Sequence, residues 1–219
     1  MVTADGTSML RIDGGRPVTV ADVEAVLRAC DRAEDGPPTG MLVVHVSGAP
    51  APGWAPGLTV GLVTKWERAV RRLERLPLAT IAMAAGDCGG TALDVLLATD
   101  VRVAEPDTRL VPATDDEAIW PGMALYRLSR QGGAGVLRRA ALLSIPIGAA
   151  EARALGLLDV VTEEPETALA DLRERTAAVS GPELAIRRQL LLDADRTSFE
   201  EALGSHLAAC DRALRRAAR

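Results

Sequence analysis

Residues 78–104, which read L-A-T-I-A-M-A-A-G-D-C-G-G-T-A-L-D-V-L-L-A-T-D-V-R-V-A, constrain the fold more than any other part of the chain. Small and β-branched apolar residues predict a buried strand over 79–83, three glycines predict a turn over 86–90, and a helix should follow over 92–98. Backbone N–H groups at Gly90 and Thr91 would then point outward at the positive end of that helix, a geometry that binds a developing negative oxygen. Taken alone, the glycines are better explained by a tight turn with close packing of strand and helix.

Strand and helix patterns alternate through the rest of the chain. Thr19 and Asp22 form a capping-box pattern that predicts a helix ending before Gly36, and further patterns predict a strand over 41–46 and a helix over 60–73. Short strands are expected over 101–104 and 109–111, and helices over 151–155, 165–179, 182–194 and 198–214, with a short strand over 157–161. The alternation predicts a single α/β domain over 1–219, with a core over about 9–162 and a C-terminal helical region over about 163–215.

Composition excludes several classes of function. The 219 residues are 48% hydrophobic, which is ample for a large core, and 30 acidic against 25 basic residues with no basic block argue against nucleic-acid binding. Apolar runs are too short to cross a bilayer and the first residues lack a signal-peptide pattern, so we expect a cytoplasmic protein without a membrane partner. Three cysteines and two histidines show no metal-ligand or disulfide spacing, so the sequence supports no metal site.

Four phrases occur in a fixed order along the chain. They are R-L-E-R-L-P at 72–77, the glycine turn with D-V-R-V-A at 100–104, W-P-G at 120–122, and A-A-E-A-R-A-L-G-L-L-D at 149–159. Together they resemble the crotonase superfamily of CoA-thioester enzymes, in which the glycine phrase ends in D-I-R-I-A and the next helix opens with I-P-G.

The resemblance implies a crotonase fold of repeated strand–strand–helix units, a C-terminal helical region used in trimer formation, and a CoA-thioester substrate with no separate cofactor. It also implies an oxyanion hole. Gly90 and Thr91 correspond to the family's G-G-G turn, and Trp54, in A-P-G-W at 51–54, corresponds to the second donor loop. For Trp54 a role as a solvent-shielding aromatic remains an alternative. Asp94 falls on the family's first catalytic glutamate, although a carboxylate in a first helical turn can also simply interact with the helix dipole.

The family's second catalytic glutamate corresponds to Thr114, which cannot act as a general base. Three acidic residues at 115–117 follow in the same loop, where one could lean into the site or all could face solvent. Arg187 and Arg188 resemble a helix that lies near CoA phosphates in crotonases, but surface arginines at a helix end have the same pattern.

Within the superfamily, residues 84–94, 120–127 and 181–190 most resemble the auxiliary crotonases of the 3,5-dihydroxyphenylglycine pathway of glycopeptide-antibiotic producers. That likeness implies a type III polyketide synthase as partner and assistance in dehydrating and aromatising a malonyl-CoA-derived polyketide thioester to 3,5-dihydroxyphenylacetyl-CoA. A noncatalytic accessory subunit of the synthase and a generic enoyl-CoA hydratase or isomerase are the alternatives.

Overall fold

The computed structural model describes residues 7–36, 40–115, 118–133, 135, 137–177, 181–194 and 196–218. Its strands are β1 (Thr7–Asp13), β2 (Met41–Gly48), β3 (Ala79–Gly89), β4 (Val101–Ala104), β5 (Arg109–Val111), β6 (Thr114–Asp115), β7 (Ala118–Ile119), β8 (Ile147–Gly148) and β9 (Val160–Val161). A seven-stranded sheet runs β1-β2-β3-β4-β9 with all of these pairs parallel, while β5 continues along β3 beyond β4 and pairs antiparallel with β8. β6 and β7 form a separate antiparallel pair.

The helices follow the sequence pattern closely. They are α1 (Val20–Asp35), α2 (Val60–Leu73), α3 (Gly90–Leu96), α4 (Met123–Leu128), α5 (Arg138–Leu143), α6 (Ala149–Ala154), α7 (Pro165–Ala177), α8 (Pro182–Ala194) and α9 (Phe199–Ala217), with a π-helical turn at Ser129–Gly133 after α4. The predicted capping box of Thr19 with Asp22 is present at α1, and Ser198 with Glu201 forms a second one at α9. The α/β fold is confirmed, and at these two helices a local signal marks the first residue.

The predicted turn over residues 86–90 is wrong, because β3 continues to Gly89 and α3 begins at the very next residue. Gly86 has a φ of +61°, which bends the strand without ending it. Residues 87–89 then pair in parallel with β5, so this extra length of β3 carries the chain past β4. The bend brings the start of α3 to the end of the sheet.

The two faces of the sheet are buried by different helices. Leu42, Val44 and Val46 of β2 face the larger core, which includes buried residues of α1, α2 and α3. Met41 and Val43 face the opposite side, where a smaller core includes residues of α7 and α8. Alternate residues of one strand therefore contribute to separate cores, which explains why the first four residues of this strand, 41–44, are all apolar.

The C-terminal region ends in a helix that contributes nothing to either core. No residue of α9 is buried, although its capping box and helical periodicity are well formed. Among the described residues, no helix has the length and apolar character needed to cross a membrane.

Candidate active site

The end of β3 and the start of α3 lie close to two other chain segments. A Cβ atom built at Gly89 would lie 2.8 Å from the carbonyl oxygen of Val111 and 2.9 Å from the Cβ atom of Ala49. Gly90 has a φ of +49°, and its own added Cβ would lie 3.3 Å from the ring of Pro50. The crowding requires glycine at residue 89 and the positive φ favours glycine at residue 90, so the close packing in the structural interpretation is present although the tight turn is not. That interpretation leaves room for a chemical role, because no side chain caps α3.

Asp94 lies one turn into α3 and is held in place by α2. Trp66 of α2 donates its indole Nε1–H to Asp94 Oδ2 over 2.9 Å. The pKa of the Asp94 carboxyl is raised from 3.8 to about 7, mainly by burial and also by the nearby Glu67, whereas Arg127, Trp66 and the Ala124 backbone lower it. A carboxyl group with a pKa near neutrality can both accept and donate a proton at cellular pH.

Arg127 of α4 links Asp94 to a second carboxylate. Its Nη2 lies 3.0 Å from Glu67 Oε2, and its Nη1 lies 3.7 Å from Asp94 Oδ1. The arginine side chain is only 6% exposed, and Nη1 is buried without a hydrogen-bond partner. One buried guanidinium therefore faces two carboxylates, and it makes a hydrogen bond to only one of them.

A cavity of about 40 Å³ lies beside Asp94, which is room for a water molecule or two. Its lining is mostly apolar and comes from α2, α3, α4 and the loops before them: Val18, Trp54, Leu58, Val63, Trp66, Glu67, Gly90, Thr91, Leu93, Asp94, Pro112, Ala113, Trp120, Ala124, Leu125 and Leu128. A neighbouring groove of about 460 Å³ shares Leu58, Val63, Glu67 and Trp120 with it. The groove therefore leads to the two carboxylates.

Three residues expected in the oxyanion hole, Trp54, Gly90 and Thr91, all line this cavity together with Asp94. The Thr91 hydroxyl donates to the carbonyl oxygen of Asp13 over 3.2 Å, which fixes the start of α3 against the end of β1. Because the hydroxyl is used in this contact, any contribution of Thr91 to the hole must come from its backbone. The structure thus brings together residues that are far apart in the sequence, and their role as donors remains a prediction.

The indole of Trp54 has a contact that the sequence did not indicate. Its Nε1–H donates to the carbonyl oxygen of Thr114 over 2.8 Å, and its ring meets Trp120 edge to face at 5.2 Å. These contacts join the loop before α2 to the segment before α4. Trp54 and Trp120 both line the cavity, and whether Trp54 acts as a donor or as a shield stays a prediction.

The position of the family's second glutamate lies outside the cavity. Thr114 is absent from the lining, whereas its neighbours Pro112 and Ala113 are present, and Thr114 begins the short β6 strand. Asp115 pairs with Ala118 in the β6–β7 hairpin. Asp116 and Glu117, the other acidic residues of this loop, lie outside the described residues.

Arg188 has a structural role that the sequence comparison did not foresee. Its guanidinium bonds Asp100 through Nε (2.6 Å) and Nη2 (2.5 Å), and it also donates to the carbonyl oxygens of Leu76 and Leu78. Every nitrogen of the guanidinium is used in these internal bonds. The predicted contact of Arg188 with a CoA phosphate is therefore wrong. Arg187 is exposed and does not line the cavity beside Asp94.

Sequence reasoning missed Glu67. A signal for it exists, because Glu67 lies four residues after Val63 and three before Val70, and so interrupts the apolar stripe of α2. A carboxylate at an apolar position of an amphipathic helix indicates either a buried ion pair or a functional group. Within the described residues, no group of three or more histidine, cysteine, aspartate or glutamate side chains could hold a metal ion.

No protein-family model matches the chain. A curated protein of Amycolatopsis orientalis named enoyl-CoA-hydratase is 55% identical over 214 residues, which cover 98% of this chain and 99% of that protein. The solved structure of an enoyl-CoA hydratase from Mycobacterium smegmatis has a TM-score of 0.83 at 16% identity and covers 98% of this chain and 89% of its own. An enoyl-CoA hydratase/isomerase from Marinobacter aquaeolei has a TM-score of 0.77 at 15% identity, with coverages of 95% and 88%.

Proposed function

The chain belongs to the enoyl-CoA hydratase family of the crotonase superfamily, and from this premise we propose that it is a lyase that removes water from, or adds water to, a CoA thioester. The observation that carries the proposal is the carboxyl group of Asp94, buried in an apolar cavity one turn after the start of α3. A buried carboxyl group beside a helix start that no side chain caps suits a reaction that moves a proton and places negative charge nearby.

The negative charge forms on the thioester oxygen when a proton leaves the adjacent Cα atom. We assign stabilisation of that oxygen to backbone N–H groups at Gly90 and Thr91, and to the backbone N–H of Trp54 on the facing loop. These residues line the same cavity, and no side chain competes for the start of α3. In comparable sites the loss of one preorganised donor costs roughly 3 to 4 kcal/mol of transition-state stabilisation.

Asp94 then moves the second proton. In the direction of dehydration its protonated carboxyl donates to the β-hydroxyl group as the bond between Cβ and oxygen breaks, so that water leaves instead of hydroxide. A pKa of about 7 keeps a large share of Asp94 protonated at neutral pH without making it a poor donor. The Trp66 indole bond to Oδ2 orients the group.

The CoA portion would approach along the groove that shares Glu67 and Trp120 with the cavity. Arg68 and Arg71 of α2 also line this groove and supply positive charge for phosphate groups. The cavity itself is small, so Trp120 and Leu58, which stand between cavity and groove, would have to move aside when an acyl group enters.

We further propose that the substrate is a polyketide thioester and that the protein assists a type III polyketide synthase, as its resemblance to DpgB, the auxiliary crotonase of the 3,5-dihydroxyphenylglycine pathway, suggests. A noncatalytic accessory role is the competing proposal. It is favoured by Thr114, which stands at the position of the family's second glutamate, bears no carboxylate and does not line the cavity. The two differ in whether Asp94 is needed. An assay of the synthase on malonyl-CoA, with and without this protein, tests the partnership.

The test of the proposed activity is the Asp94→Asn variant. Asparagine retains the shape and can still accept the Trp66 hydrogen bond, but it cannot transfer the proton, so turnover of a short enoyl-CoA should fall by about 10² to 10⁴. Circular dichroism must show an unchanged fold. A folded Asp94→Asn protein with full activity in both the enoyl-CoA and the synthase-coupled assay would favour the accessory role instead.

A further inference from the structure

Dehydration of a 3-hydroxyacyl thioester needs two groups, because one proton leaves Cα and another goes to the departing hydroxyl. Asp94 can provide only one of these transfers. The position at which the family has its second glutamate is Thr114, which bears no carboxylate and does not line the cavity. A second carboxylate must come from elsewhere if the chain is to complete the reaction.

Glu67 is the carboxylate that the fold brings to this place. It lines the cavity beside Asp94 and also the adjoining groove. Its side chain is 19% exposed, so it is largely sheltered yet open to a bound substrate. It is also close enough to Asp94 to raise the pKa of that residue.

We propose that Glu67 is the second catalytic carboxylate, which takes the proton from Cα while Asp94 protonates the departing hydroxyl. The C–H electron pair becomes the new C=C bond by way of the enolate, and the C–O electron pair leaves with the water molecule. Glu67 ends protonated and Asp94 ends ionised, so a proton must return from the first to the second before the next turnover. The inference rests on the proposed lyase function.

The contacts of Arg127 assign the two roles. Its Nη2 makes a 3.0 Å ion pair with Glu67, whereas its Nη1 stays 3.7 Å from Asp94 and makes no hydrogen bond. Before each turnover, therefore, Asp94 carries the proton and Glu67 does not. After turnover the charge moves to Asp94, and the unpartnered Nη1 is positioned to stabilise it until the proton returns.

The experiment compares Glu67→Gln with Glu34→Gln in α1. Glu34 also pairs with an arginine, Arg72 of α2, and neither residue lines the cavity or the groove. We expect Glu67→Gln to lower kcat by about 10²-fold or more with little change in KM, Glu67→Asp to recover part of the loss, and Glu34→Gln to retain the wild-type rate. Thermal unfolding of each variant reports whether the fold is kept.

The pH profile separates a catalytic from a structural role. Wild-type kcat should fall on both sides of an optimum, because a base must be ionised and an acid protonated. Residual activity of Glu67→Gln should no longer fall on the acidic side, whereas a merely structural residue would leave the shape of the profile unchanged. If wild-type and Asp94→Asn behave as proposed and Glu67→Gln stays fully active or keeps the wild-type profile, this inference alone is wrong. A wild-type protein inactive on every thioester tested would overturn the lyase function and this inference together.

Discussion

At the residue scale, the burial of Asp94 affects stability as well as chemistry. The folded protein holds the proton on this group more tightly than the unfolded chain does, since the pKa rises from 3.8 to about 7 on folding. The protonated Asp94 therefore contributes fully to folding stability below pH 3.8, the unfolded pKa, and this contribution is lost as the pH rises through about 7, the folded pKa. Ionising Asp94 in the folded state therefore costs on the order of a few kcal/mol.

The Asp94→Asn variant does not undergo this loss, because its amide does not titrate. The free energy of unfolding of the wild type should decline relative to the variant with a nearly constant slope between about pH 4 and pH 7, and the difference should level off above that range. Urea unfolding of both proteins across this range measures the difference. Parallel stability profiles would mean that Asp94 is ionised in the folded protein throughout.

At the element scale, one buried ion pair attaches α8 to the sheet. Arg188 is 8% exposed and bonds Asp100, which in turn accepts hydrogen bonds from the backbone and hydroxyl of Thr80 in β3. The family-like phrase D-V-R-V-A at residues 100–104 therefore serves structure here. Its Arg102 donates from its guanidinium to the carbonyl oxygens of Leu157, Leu97 and Thr99.

We expect Arg188→Met to cost about 3 to 5 kcal/mol of unfolding free energy, because it leaves Asp100 and two carbonyl groups without their partner. The neighbouring Arg187→Met removes the same charge from an exposed position and should change stability by less than about 0.5 kcal/mol. Chemical denaturation of the two variants gives the comparison. Similar losses for both would contradict the anchoring role of Arg188.

At the scale of the whole molecule, α9 leaves an apolar stripe uncovered. Phe199 is 75% exposed, Leu207 57% and Leu214 71%, and with Leu203 they recur at helical spacing along one side. A single chain buries none of this helix. Contact with other copies of the chain would cover the stripe, as the family-based expectation of a trimer requires.

Light scattering on a sizing column should therefore report three times the 23.0 kDa chain mass at micromolar concentration. Placing aspartate at both Phe199 and Leu207 should break the assembly while leaving the core unchanged, because no residue of α9 is buried within one chain. Aspartate at Val20, an exposed site on α1, should leave the mass unaltered. A stable monomeric wild type would overturn the trimer prediction.

Local sequence was sufficient to determine most of the elements and part of the site. Capping boxes at Thr19 and Ser198 and the apolar run of β2 predict their elements correctly, because each signal depends on residues within one or two turns. Gly90 and Thr91 were predicted from the glycine phrase and Asp94 from the family resemblance, and all three line the cavity. The same local reasoning predicted a turn at residues 86–90, where one bend at Gly86 lets β3 continue and pair with β5.

Only the tertiary structure decided which groups meet. Trp66 contacts Asp94 across 28 positions, Arg127 contacts Glu67 across 60, and Arg188 contacts Asp100 across 88. No periodicity within a helix or strand specifies such distances, since a local pattern shows which face of an element is apolar and not what packs against it. The exclusion of Thr114 from the cavity, the entry of Glu67 and the burial of Arg188 follow from how α2, α3, α4 and α8 pack on one sheet.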